Sequence, residues 1–128
     1  MPMKAKIIKI LTFFVKIYII SVDIKIRNFV IPYSPDCRKR HQHHRYKNEI
    51  VEFVVQLEVM LKGHWYPVIR YDIAHEFAHC DIIHHSGKIE KVSIPSLNYK
   101  EALTFADKDL NENWQIYRSR FLKEVTND

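Results

Sequence analysis

The stretch from Arg70 to His85 holds most of the side chains whose types and spacing suit chemistry. It contains the run His75-Glu76-Phe77-Ala78-His79, a match to the zinc-hydrolase pattern H-E-x-x-H. On a helix, histidines four residues apart share one face and bind one zinc ion, and the adjacent glutamate is the general base for the metal-bound water. His85 stands where a longer form of the pattern has its third ligand. One interpretation is therefore a zinc-dependent hydrolase with the ligands His75, His79 and His85 and with Glu76 as base.

Two features of the same stretch weigh against zinc. Ile82 occupies the position of the glycine that turns the chain in the longer pattern. The motif is also confined between Asp72 and the turn signal His85-Ser86-Gly87, which leaves space for about three helical turns at most. We therefore favour strands in this region and expect no cofactor, with zinc bound only under the alternative interpretation.

As strands, the same residues form a different site. The side chains of Arg70 and Asp72 point to the same face of one strand. Those of His79 and Asp81 likewise share one face of the next strand. His75 lies in the connection between them. A histidine paired with a carboxylate and an arginine can perform acid–base chemistry on a phosphodiester, with the arginine stabilising the developing charge. The purely structural alternative is that Arg70 pairs with Asp72 while the histidines hydrogen-bond within a turn.

The strands around this stretch follow from the spacing of the apolar residues. Apolar and mostly polar residues alternate from Val51 to Leu61, and Lys62-Gly63-His64 separates this run from a second one, Trp65–Asp72. Period two with an intervening glycine turn predicts a β-hairpin, in which Pro67 indicates a sheet edge or a bulge because it lacks an N–H. The runs Ala78–His84 and Lys88–Ile94 flank another turn and predict a second pair of strands.

After Pro95 the spacing changes to that of a helix. Asn98 and Glu101 have capping-box spacing, and apolar residues then recur three or four apart: Ala102, Phe105, Ala106, Leu110, Trp114, Tyr117, Phe121 and Val125. The sequence thus predicts an α+β domain, in which a four-stranded antiparallel meander is followed by a long C-terminal amphipathic helix packed on the sheet.

The charge is unevenly distributed along the chain. Residues 1–50 contain eleven Lys and Arg against three Asp and Glu, whereas residues 51–128 contain nine against twelve. This asymmetry is typical of a basic tail on a compact domain, and the polar run Cys37–Lys47 favours a solvated linker. We predict a basic N-terminal extension or linker of uncertain structure over residues 1–47 and a compact α+β domain over residues 48–128.

The beginning of the chain and the cysteines bear on location. Ile7–Ile20 is apolar, but Lys9 and Lys16 interrupt it, and it is shorter than the roughly 20 residues of a bilayer span. Cys37 and Cys80 are too few for a disulfide framework. We expect a cytoplasmic protein that does not associate with a membrane.

Residues 51–123 resemble a group of small prokaryotic proteins of unknown function. The similarity lies in Val68-Ile69-Arg70-Tyr71-Asp72, His75, Phe77-Ala78-His79 and Asp81, and in 101–106 and 113–118. The same segments are loosely similar to the TumE-type toxins of toxin–antitoxin pairs. This resemblance implies a toxin-like component that acts on RNA and has a cognate antitoxin. It also implies a glycine at the position of Glu76 in most relatives, which makes the zinc pattern a product of one substitution.

The sequence supports three hypotheses of function. They are a toxin-like ribonuclease with the site Arg70, Asp72, His75, His79 and Asp81, the zinc hydrolase, and a non-catalytic protein-interaction module. Local conformation separates the first two, because a strand across residues 79–84 is incompatible with two zinc ligands spaced on a helix.

Overall fold

The computed structural model describes residues 23–74, 77–94 and 98–127. Within these ranges, six strands precede one helix: β1 Ile24–Ser34, β2 Cys37–Tyr46, β3 Glu49–Leu61, β4 His64–Ala74, β5 Phe77–Ile83, β6 Ile89–Ser93 and α1 Tyr99–Asn127. Each strand pairs antiparallel with the next, so the sheet is a meander in the order of the sequence. The predicted α+β class is confirmed. None of the helical residues in this part of the chain forms a segment long and apolar enough to cross a membrane.

The β3–β4 hairpin forms where alternation and the glycine turn predict it. Leu61 pairs with His64, so the loop is only Lys62 and Gly63, both with positive φ (51° and 82°). A two-residue loop of this handedness matches the twist of the flanking strands, and glycine adopts it without a steric penalty. The β3–β4 register shifts next to Pro67, which confirms the predicted irregularity there.

The prediction of four strands is wrong, because the sheet has six. The additional strands β1 and β2 lie within residues 1–47, where we predicted an extension or linker, and Cys37–Tyr46 is a strand instead of a solvated segment. The basic residues of Cys37–Tyr46 suggested a solvated segment, but carboxylates distant in sequence form ion pairs with them. Lys39 pairs with Asp107, and Arg38 and Arg40 pair with Glu58. Ile7–Ile20 lies outside the described residues.

Helix α1 begins and packs as its sequence predicts. The Glu101 N–H donates to Asn98 Oδ1 at 2.8 Å, as in a capping box, and the side-chain Nδ2 of Asn98 donates to the Glu101 carboxylate. The helix covers one face of the sheet over β2, β3 and β4. Its buried residues include Ala102, Ala106, Leu110 and Phe121, which face the apolar side chains of β3 and β4. Phe105 departs from the predicted stripe, being 47% exposed beside the Tyr71 ring.

The strands give the sheet two different faces. The helix face carries Phe53, Val55, Leu57 and Val59 from β3, all buried. The opposite face, which we call the open face, carries the alternate residues of each strand. It includes Arg38, Arg40, Gln56, Glu58, Arg70, Asp72, His79, Asp81 and Lys91. Sheet pairing therefore collects most of the candidate chemistry on the open face.

Candidate functional site

Four of the five predicted site residues form two cross-strand pairs on the open face. In the β4–β5 ladder, Arg70 lies directly opposite Asp81 and Asp72 directly opposite His79. Side chains opposite each other in an antiparallel ladder have Cβ atoms about 5 Å apart. The register therefore brings Arg70, Asp72, His79 and Asp81 together in a square of side chains. His75 and Glu76 lie outside the described residues.

Lys91 on β6 adds a second cation to this square. It pairs with Asp81 in the β5–β6 ladder, and its Nζ lies 3.6 Å from Asp81 Oδ1. Asp81 is only 7% exposed, and within the described ranges its Oδ1 accepts no hydrogen bond. A buried carboxylate oxygen with an ion-pair partner at this distance can accept a further hydrogen bond from a bound molecule.

The surroundings of Asp72 shift the pKa of its carboxyl group upward. Burial and the neighbouring negative charge of Asp81 raise the pKa of Asp72 above its ordinary value, while Arg70, His79 and Lys91 act in the opposite direction. The square thus combines two acid–base side chains, Asp72 and His79, with the cations Arg70 and Lys91. Such a combination can move a proton and stabilise negative charge at the same place.

A series of side-chain hydrogen bonds across the sheet holds Arg70 in position. Arg70 Nε donates to Gln56 Oε1 at 2.7 Å, and Gln56 Nε2 donates to Glu58 Oε2 at 2.7 Å. Glu58 also accepts from Arg38 at 2.7 Å and from Arg40 at 3.2 Å. Burial alone would raise the pKa of Glu58, but these three donors outweigh it and keep the pKa below its ordinary value. Glu58 is therefore the charged centre of a structural network.

The part of the zinc motif that the structure describes is not helical. Phe77–Ile83 is a strand, so the helical spacing on which the motif depends does not occur there. His79 pairs with Asp72 on the open face. The His85 ring instead lies on the helix side, with its centroid 6.1 Å from that of Tyr66 and 5.6 Å from that of Phe121. Residues 23–74, 77–94 and 98–127 contain no group of three His, Cys, Asp or Glu arranged to hold a metal ion.

A second polar cluster, which sequence reasoning missed, lies between β2 and α1. His41 is 3% exposed; its Nδ1 lies 3.4 Å from Asp107 Oδ1, and its Nε2 lies 2.7 Å from His43 Nδ1. The buried Lys39 contacts Asp107 Oδ1 and Asn111 Oδ1, each at 3.0 Å. Burial opposes ionisation of Asp107, yet hydrogen bonds from His41 and Lys39 lower its pKa. The only sequence feature that pointed to this cluster is that Lys39, His41 and His43 stand at alternate positions. Nothing in the sequence connects them to Asp107.

A third cluster joins the end of α1 to the β5–β6 turn. Glu124 accepts from His84 Nδ1 at 2.6 Å, from the His85 N–H at 3.0 Å and from Arg120 at 3.1 Å. Burial opposes this ionisation, but the three donors together lower the pKa of Glu124 from 4.5 to about 2. The carboxylate therefore fastens the last helical turns to the sheet.

This contact predicts an acid-dependent loss of stability. Because the folded pKa of Glu124 is below its unfolded value, its contribution is complete above about pH 4.5 and is lost as the pH falls towards 2. At pH 6 we expect Glu124→Gln to lower the free energy of unfolding by about 2 kcal/mol, after allowance for partial solvent screening. The difference from wild type should shrink by pH 2.5 in urea titrations followed by circular dichroism. The exposed helix variant Glu112→Gln is the control, and an equal Glu124→Gln deficit at both pH values would contradict the assignment.

The fold and its open face together define an α+β domain with a six-stranded antiparallel meander and one long helix across one side. Residues 23–127 match the family described as "Domain of unknown function (DUF7718)", and the chain belongs to that family. The match begins before β1 and ends with α1, so it includes the β1–β2 hairpin that the resemblance over residues 51–123 left out. No curated protein and no solved structure matches the chain. Membership of an uncharacterised family is thus shown, and nothing in these comparisons connects it with TumE-type toxins.

Proposed function

We propose that the open-face square is an acid–base site for cleaving RNA, and that the chain is a toxin-like component of a toxin–antitoxin pair. The observation that carries this proposal is the double pairing across β4 and β5, with Asp72 opposite His79 and Asp81 opposite Arg70. An imidazole, a carboxyl group and a guanidinium side by side are the groups needed to transfer a proton beside a phosphate. In the cytoplasm, a cognate antitoxin would have to cover this face.

Each residue has a definite part in the proposed reaction. His79 accepts the proton of a ribose 2′-hydroxyl, whose oxygen forms a bond to the adjacent phosphorus as the bond to the 5′-oxygen breaks. Water protonates the leaving 5′-oxygen, and the resulting hydroxide takes the proton back from His79. Arg70 stabilises the negative charge that develops on the phosphate oxygens. Asp72 orients the His79 imidazole, as carboxylates do for catalytic histidines elsewhere.

Three further residues complete the proposed site. Lys91 lies beside Asp81 and partly neutralises it, which reduces the repulsion between that carboxylate and an incoming phosphate. Gln56 holds Arg70 through its 2.7 Å hydrogen bond. His75, which follows the end of β4, stays in the proposal as a second acid–base candidate.

The test is a cleavage assay with the purified full-length chain and a 5′-labelled single-stranded RNA. We expect His79→Ala to slow cleavage at least 100-fold, the usual scale for loss of a general base (roughly 100 to 10,000-fold). The control is His64→Ala, since His64 is exposed at the β3–β4 turn. Cleavage should continue in a chelator, because the proposed steps use side chains and water and no metal ion.

Three outcomes would count against the proposal. Equal rates for His79→Ala and wild type would remove His79 from the reaction. Loss of activity in the chelator would favour metal-dependent chemistry. Absence of cleavage by the wild-type chain on any RNA tested would leave the protein-interaction hypothesis in its place.

A further inference from the structure

The helix-side surface of the β1–β2 hairpin carries a compact group of cations. Lys25 pairs with Arg45 and Arg27 pairs with His43 in the β1–β2 ladder. All four side chains are on the same side of the sheet as His41, because they stand at alternate positions of their strands. We call these four residues the basic patch. Lys25, Arg27 and Arg45 are exposed and His43 is half-buried.

The three permanent cations of the basic patch, unlike Arg38, Arg40 and Arg118, have no anionic partner among the described residues. Arg38 and Arg40 are neutralised by Glu58, and Arg118 is bound to Asp36 at 2.6 Å. Lys25, Arg27 and Arg45 form no ion pair within the described part of the chain. Three uncompensated charges on adjacent strands repel one another, so an anion bound between them relieves that repulsion.

A buried network holds the centre of the basic patch in place. His43 is fixed through its Nδ1 by His41, which in turn contacts Asp107 and is stacked under Phe29 with ring centroids 4.4 Å apart. When His41 Nε2–H donates to His43 Nδ1, His43 carries its own ring proton on Nε2. That N–H is then available to a phosphate oxygen. Burial together with the charges of His41, Arg27 and Arg45 lowers the pKa of His43, which keeps this imidazole neutral.

From these observations we infer that the basic patch is a binding site for the phosphate backbone of single-stranded nucleic acid. The cations are arranged in rows along two strands, about 7 Å apart within each strand, which suits a chain of repeated negative charges better than a single small anion. A lipid surface would require exposed apolar side chains on the same face. The exposed apolar residues of β1 nearest the patch, Ile26 and Val30, occupy the alternate positions and lie on the opposite face.

This site is separate from the one in the proposed function, because it lies on the other face of the sheet. Its binding does not require that the open face cleave RNA. Single-stranded RNA and DNA should both bind, since the patch contacts phosphates and has no group assigned to the ribose 2′-hydroxyl.

The test is fluorescence anisotropy with the full-length chain and labelled 12-nucleotide uridine and thymidine oligomers. We expect Arg27→Gln/Arg45→Gln to weaken binding of both oligomers at least tenfold at 0.1 M salt. The matched control, Lys88→Gln/Lys123→Gln, removes the same charge from exposed positions and should bind within twofold of wild type. The dependence of log K on log salt should become shallower by about 1.4 in the Arg variant, at about 0.7 per phosphate contact.

Each alternative result is decisive. Equal weakening of oligomer binding in the control variant would show that only the net charge matters and would overturn the assignment. Unchanged affinity in the Arg27→Gln/Arg45→Gln variant, or no binding by the wild-type chain, would overturn it as well. The salt dependence of the wild-type chain tests phosphate binding even if a variant fails to fold. The thymidine oligomer lacks the 2′-hydroxyl that the proposed cleavage requires, so its binding tests the basic patch alone. Failure of the cleavage proposal and failure of this one therefore give different results.

Discussion

A chain shortened to residues 48–128 should lose cooperative unfolding. Strand β2 pairs with β3 along almost its whole length, from Cys37 opposite Val59 to Tyr46 opposite Glu49. Without β2, the central strand β3 becomes a long exposed edge, and its Val55 and Leu57 lose the buried neighbours beside them. A long unprotected apolar edge promotes association between chains as well as instability. We expect a broad, non-cooperative melt by circular dichroism and elution as aggregates from a sizing column.

The matched control is a chain shortened to residues 23–128. The family match begins at residue 23, so this chain keeps the whole matched domain, and its melt should stay cooperative. A sharp melt for residues 48–128 at a temperature close to that of the longer chain would contradict the account. It would show that the β1–β2 hairpin is an addition to a domain that is stable without it.

Those parts of the fold whose stabilising pattern is local could be predicted from the sequence. The β3–β4 hairpin depends on strict alternation and on Gly63, and α1 depends on a capping box and an apolar stripe, all of which lie within the segments concerned. The β5–β6 pair was predicted to within a residue or two of its observed bounds. In each case the local preferences of neighbouring residues agree with the final fold.

Strands β1 and β2 could not be predicted because the groups that make them acceptable in a sheet are remote in sequence. Lys39 and His41 are buried against Asp107 on α1, more than 60 residues away. Seen alone, Cys37–Tyr46 is a polar run with no apolar face, and such runs usually remain solvated. The Asp107–His41–His43 cluster could not be predicted for the same reason, because its members come together only when the helix packs across β2.

The membership of the open-face square could be predicted from the sequence because it depends on local spacing. Arg70 and Asp72, like His79 and Asp81, are two residues apart in segments recognisable as strands, and alternation alone places each pair on one face. The register between the two pairs came only from the structure, as did the chain through Gln56 to Glu58 that holds Arg70. Gln56 and Glu58 were recognisable as polar positions of β3, but their connection to Arg70 depends on the β3–β4 register.

The central claim, that His79 and Arg70 cleave RNA by activating its own 2′-hydroxyl, makes an all-or-none prediction about the substrate. DNA of the same sequence lacks the attacking group, so the wild-type chain should not cleave it, although it should still bind to the basic patch. RNA fragments should end in a 2′,3′-cyclic phosphate on one side of the break and in a 5′-hydroxyl on the other. Both ends can be identified by mass spectrometry of the fragments.

The most direct measurement is therefore digestion of a matched RNA and DNA pair by the purified wild-type chain, with His79→Ala beside it. The account predicts cleavage of RNA alone, cyclic phosphate ends, and a loss of at least 100-fold in the variant. Cleavage of DNA at a comparable rate, or RNA fragments ending in a 3′-hydroxyl and a 5′-phosphate, would mean that water is the nucleophile, and either result would contradict the account.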